Sequence, residues 1–189
     1  MSSEHIQADR TLFARWVRGT FLGYLLGFVV IILGGIVGDL IGFPGSNFIV
    51  GIGMGVGVGY VQGRVLKQWL GTIRRWIWAT VLGLGGLFVA EDIVAAAWSE
   101  FDDLHSLQLD VAIAGLLVGL LQRRILRSYS DRANWWVPAC VAGWVLAAWA
   151  ASVTPAGGQN AILNLGMILS GGVVLGVVTG GALVWVLRR

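Results

Sequence analysis

The stretch GTFLGYLLGFVVIILGGIV, residues 19–37, carries no charged side chain and is about as long as a helix crossing a ~30 Å hydrocarbon core must be. Nothing else in the chain narrows its options as far. LIGFPGSNFIVGIGMGVGVGYVQG, residues 40–63, is equally uncharged, with Pro44 and Ser46 dividing it into a turn and a helix. Charged residues make up 12% of the chain, about half the ~25% share of a soluble domain. Much of the surface therefore faces something other than water. The expected class is all-α, a polytopic integral membrane protein folded as one membrane domain over residues 1–189.

The N-terminal segment MSSEHIQADR is acidic and polar before it is basic. The apolar run behind it is too long for a signal-peptide core, and no small-x-small site closes it. The first helix is expected to be an uncleaved anchor. Cys140 is the only cysteine, which excludes an internal disulfide and leaves it the role of a small packing residue.

Apolar runs read against turn and charge signals predict six spans, at about 17–37, 47–64, 76–97, 107–124, 135–153 and 161–187. The connections alternate in character. Arg64, Lys67, Arg74 and Arg75 surround the second, and Arg123, Arg124, Arg127 and Arg132 surround the fourth. Arg10, Arg15 and Arg18 precede the first span, while Arg188 and Arg189 end the chain. The connections around GFPGSN, SEFDDLHSLQLD and TPAGGQN hold no Lys or Arg. This is the positive-inside pattern, and it predicts that both termini are cytoplasmic. It makes the arginines orienting charges and argues against a nucleic-acid partner. Trp16, Trp69, Trp76, Trp78, Trp135, Trp136 and Trp185 fall near the cytoplasmic interface on this map, with Trp98 and Trp149 near the outer one. Indoles favour that depth, so most are expected to be interfacial anchors.

The chain also repeats itself. VGYVQGRVL at 58–66 returns as VGLLQRRIL at 118–126. Trp16, Trp76 and Trp136 stand sixty residues apart, as do Gly23, Gly83 and Gly143, and Thr20 and Thr80 share a register with Cys140. Gly55, Gly59, Gln62 and Leu66 match Gly115, Gly119, Gln122 and Leu126. After a three-residue shortening, Gly172, Gly176, Thr179 and Leu183 follow in the same register. A fixed period marks a repeated structural unit. Three hairpins of one orientation are predicted, with repeats at about 11–70, 71–130 and 131–189, and parallel repeats in membranes are related by an axis along the membrane normal. Glycine ridges would hold them together: Gly51, Gly55 and Gly59 on the second span, Gly115 and Gly119 on the fourth, Gly172 and Gly176 on the sixth. The pattern G-x3-G-x2-Q-x3-L, then a basic loop and W-x2-A-x3-G, resembles one in uncharacterised multi-pass bacterial membrane proteins over nearly the whole chain. That resemblance implies a bacterial inner membrane and carries over no functional residue. Three tandem hairpins also suggest mitochondrial carriers, whose proline-and-charge motif is absent here.

Two sets of residues can carry chemistry. Gln62, Gln122 and Thr179 occupy equivalent positions. Pointing at the axis they would form a ring able to coordinate a cation or polar solute; otherwise they are interhelical hydrogen-bonders. Glu91, Asp92, Asp110 and His105 gather around the third connection, and Asp92 and Asp110 are expected to meet across one hairpin. An ionisable group within a span suggests function. Yet sixteen residues from Arg75, at ~1.5 Å each, put Glu91 about 24 Å across the ~30 Å core, close to the outer headgroups.

Catalysis finds no support: H-E-x-x-H, G-x-S-x-G and C-x-x-C are all absent. His5 and His105 lie in polar segments, so neither cofactor nor metal is expected. The first functional expectation is a non-catalytic subunit packing against lipids and against partner helices or its own copies. The alternative is a small transporter or channel for a cation or polar solute along the axis.

Overall fold

The computed structural model describes residues 3–42, 47–71, 73–97, 107–152 and 161–188. Six helices form: α1 (Ser3–Leu40), α2 (Asn47–Leu70), α3 (Arg74–Ala97), α4 (Leu107–Leu126), α5 (Trp136–Ser152) and α6 (Ala161–Leu187), with a 3-10 turn at Asp131–Trp135 leading into α5. Pro44, Ser46, Trp98, His105 and Asn160 lie outside the described residues.

Among the described residues, five stretches are long and apolar enough to cross a membrane: Asp9–Leu40, Asn47–Leu70, Arg74–Ala97, Asp131–Ser152 and Leu165–Leu187. By helix length and hydropathy the chain is a multi-pass membrane protein. The fourth helix stands apart because Asp110 sits in its first turn and Arg123 and Arg124 in its last.

Helix ends differ from the hydropathy reading at the basic end. α1 begins well before its apolar run and α2 continues past Arg64. Helical hydrogen bonds need no apolar side chain, and Leu12 and Leu70, in these extensions, are both buried. α2 stops where Gly71 takes a φ of 67° and its N–H donates to the Lys67 carbonyl at 3.1 Å, a left-handed closure that favours glycine.

Each helix packs on its neighbours in the chain, and α6 returns to α1, so the six close into a ring. Glycines set the spacing. A methyl group built on Gly55 would lie 2.8 Å from Val81 Cα, and one on Gly59 2.9 Å from Thr80 Cβ, so this face of α2 lies on α3, as does Gly51 against Leu84 and Gly85. Gly115 and Gly119 face Val141 and Val137 of α5 in the same way, and Gly172 and Gly176 face Phe21 and Val17 of α1. Within each hairpin, Gly23 meets Val58, Gly83 meets Val118 and Gly143 meets Leu175, three equivalent pairs. The ridges expected to hold the hairpins together do lie at helix–helix contacts within the chain. Each is covered by another helix of the same chain, because backbone contact is what draws helices together where lipid offers no hydrophobic drive.

A candidate site on the bundle axis

The three repeated tryptophans come from α1, from α3 and from the first residue of α5. They meet one another. Ring centroids lie 6.0 Å apart for Trp16 and Trp76, 5.9 Å for Trp16 and Trp136, and 5.7 Å for Trp76 and Trp136, with edge-on or tilted rings that suit the indole quadrupole. All three are 0–1% exposed. The expectation that they anchor an interface is thus corrected: a common register in three units carries them to one depth and to the centre. Trp69, Trp78, Trp135, Trp149 and Trp185 do stay exposed.

Every indole in the triad donates to a neighbouring repeat. Trp76 Nε1 gives its hydrogen to Gln62 Oε1 at 3.3 Å, Trp136 Nε1 to Gln122 Oε1 at 2.8 Å, and Trp16 Nε1 to Thr179 Oγ1 at 2.9 Å. The glutamines use their other end as well. Gln62 Nε2 donates to Thr20 Oγ1 at 3.1 Å and Gln122 Nε2 to Thr80 Oγ1 at 2.9 Å, while Thr80 Oγ1 donates on to the Trp76 carbonyl at 2.9 Å. In the third unit Thr179 replaces the glutamine and passes its hydroxyl hydrogen to Leu175 O at 2.5 Å. Cys140 stands where Thr20 and Thr80 stood. The two changes match: without an amide NH2 to satisfy, the neighbouring position needs no oxygen acceptor.

Gln62, Gln122 and Thr179 are all buried, but they bond to tryptophans and not to one another. Of the two expectations, a polar ring or interhelical hydrogen bonding, the geometry is the second: three indoles fill the axis and are held from outside by amide and hydroxyl. The signal was in the spacing. Gln62 precedes Trp76, and Gln122 precedes Trp136, by fourteen residues across a basic turn. Residues equidistant from a hairpin turn come to the same level.

The described acidic residues of this group stand on α3 and α4. Asp92, on α3, accepts the Asn47 N–H at 3.1 Å through Oδ1 and the Phe48 N–H at 2.8 Å through Oδ2. Those donors are among the four that open every helix unsatisfied, so Asp92 caps α2 from its neighbour. A carboxylate bonded to two amides is compensated where it stands. Asp110 is buried in the first turn of α4, and Glu91 is half-buried on α3. Among the described residues, no three His, Cys, Asp or Glu side chains gather closely enough to hold a metal ion.

The basic end is tied off by the connection after α4. Tyr129 donates its hydroxyl to the Leu70 carbonyl of α2 at 2.9 Å, and Ser130 Oγ donates to the Val186 carbonyl of α6 at 2.6 Å. Both acceptors belong to last turns whose carbonyls have no partner within their own helix. Arg188 Nε reaches Asp9 Oδ2 at 2.7 Å, joining the two ends of the chain. No protein-family model matches the sequence, and no curated protein or solved structure matches it either.

Proposed function

We propose that the chain is a non-catalytic subunit of a bacterial inner membrane, built from three hairpins that cross the bilayer six times with both termini in the cytoplasm, and that it acts by packing against other membrane helices or further copies of itself. α4 is counted as a span because it completes the ring between α3 and α5; its arginines lie in the last turn, where long side chains reach the headgroups.

The observation that carries this reading is the triad. Three indoles occupy the axis, and the polar side chains at that level are spent on holding them. That argues against a wet path for a cation or polar solute at this level of the axis. With the axis plugged at that level, the outward surface is what the chain offers to other helices. It includes an apolar groove between α1 and α2, lined among others by Leu33, Gly34, Val37, Ile49 and Ile52.

The test uses full-length protein taken from its native membrane directly into lipid nanodiscs. Native mass spectrometry is expected to show more than one chain per particle, and Leu33→Trp with Val37→Trp, both exposed positions, is expected to reduce it to a single chain with its thermal unfolding unchanged. A single chain in the wild type would end the proposal. Vesicles carrying the protein should be as tight to cations and small polar solutes as empty ones; a leak removed by Gln62→Leu and Gln122→Leu would restore the transport alternative.

A further inference from the structure

Past the indoles, away from the basic end, the axis is not filled. A cavity of about 310 Å³ lies there, near the lower end of the ~300–1,000 Å³ range of small-molecule sites. Its walls come from equivalent positions of the three units: Tyr24, Leu84 and Trp144 form one level, and Phe28, Phe88 and Ala148 the next. Two observations separate it from a packing flaw. The first is that the third unit carries alanine where the others carry phenylalanine, so the ring that would complete the level is missing. The second concerns hydrogen bonds. Tyr24 and Trp144 are only 6% and 7% exposed and both line the cavity, yet neither the Tyr24 hydroxyl nor the Trp144 N–H is bonded among the described residues. The three indoles of the triad all have acceptors. A donor that lines a cavity without a protein partner is open to an acceptor that a ligand brings.

We propose that this cavity binds a compact, neutral compound of one or two fused rings bearing a hydrogen-bond acceptor such as a carbonyl oxygen. Four aromatic side chains, Tyr24, Phe28, Phe88 and Trp144, surround the space and favour a flat partner over a flexible chain. Among the described residues none that lines the cavity is charged, so a carboxylate would enter without a counter-ion from them, at a prohibitive desolvation cost. The Tyr24 O–H and Trp144 N–H supply the polar contact. This site is independent of the assembly reading, since it lies inside the ring and not on its surface.

The experiment measures equilibrium binding of two probes to the full chain in nanodiscs: 2-acetylnaphthalene, and 2-ethylnaphthalene as the same shape without an acceptor. Wild type is expected to bind the acetyl probe saturably at one per chain and more tightly than the ethyl probe. Tyr24→Phe should weaken the acetyl probe about three- to tenfold, the usual worth of one hydrogen bond, and leave the ethyl probe unchanged. Ala148→Phe restores the missing ring and should abolish saturable binding of both while holding or raising the melting temperature. Leu84→Trp fills the same space from α3 and serves if Ala148→Phe does not fold. Absence of saturable binding overturns the proposal. So does equal affinity for the two probes, or binding that survives in a folded, cavity-filled variant.

Discussion

Gln122 ties two helices together with one side chain, accepting from Trp136 of α5 and donating to Thr80 of α3. A polar residue bonded at both ends belongs in a lipid-surrounded interior, where a typical interhelical bond is worth about 0.6 kcal/mol and the best about 1.7. Unbonded, the same amide costs about 1–3 kcal/mol. That difference accounts for the paired change at Cys140 and Thr179, and it makes a prediction. Thr179→Gln alone should destabilise the bundle by about 1–3 kcal/mol, because its new NH2 faces a thiol. Adding Cys140→Thr rebuilds the arrangement of the first two units and should recover about 1 kcal/mol. Unfolding titrations in mixed micelles measure both. A double variant no more stable than the single one would show that the match between these positions is coincidental. The sequence displayed the equivalence of these residues but not their partners. Gln62 and Trp76 were each legible as members of a period, while the bond between them depends on where a turn places two faces.

Between elements, the tightest joint is that of α1 with α2. A methyl group on Gly57 would fall 2.2 Å from Gly27 N and 2.5 Å from Gly23 O, both backbone atoms that cannot move aside without moving the helix. Gly57→Ala should therefore cost at least the ~1–3 kcal/mol of an overpacked core, and more if the hairpin has to splay. Gly35, on the same helix as Gly27, has nothing within 4 Å of a built methyl group. Gly35→Ala should be neutral, or stabilising by up to ~1 kcal/mol from helix propensity. Melting temperatures of the two variants, measured side by side, check the claim; equal effects would refute it. Neither Gly57 nor Gly35 belongs to a ridge legible in the sequence, and nothing there tells them apart. Spacing reports that two glycines share a helix face, and only the neighbour on that face decides what a methyl group would strike.

For the whole molecule, the consequential contact is the last one made. α6 closes on α1 through Trp16 and Thr179, which are 163 residues apart in the chain, and through Arg188 and Asp9. A ring of three like units has no structural need to begin where this chain begins. Asp9 and Arg188 are in contact, and the end of α2 and the start of α3 lie at the same end of the bundle. A circular permutant that starts at residue 73 and joins 188 to the N-terminal segment by a short flexible linker should fold, as permutation generally does where termini are close. It should keep the fluorescence of the buried triad and melt within a few degrees of the original. Aggregation of the permutant, with the linker length varied, would mean that the starting hairpin is needed to template the others.

The existence of the helices, their number, the sixty-residue period and the basic character of alternate connections follow from the amino-acid sequence by itself. Each depends on local chemistry: an apolar run long enough for hydrocarbon, a glycine that stops a helix, a cluster of arginines. Other properties do not reduce to neighbours in the chain. Trp16, Trp76 and Trp136 are core residues and not anchors, Asp92 caps a helix it does not belong to, the glycine faces are covered, and the axis is plugged at one level and hollow at the next. Those were decided when six helices closed into a ring, because the side chains that face a residue across that ring come from helices far away along the chain.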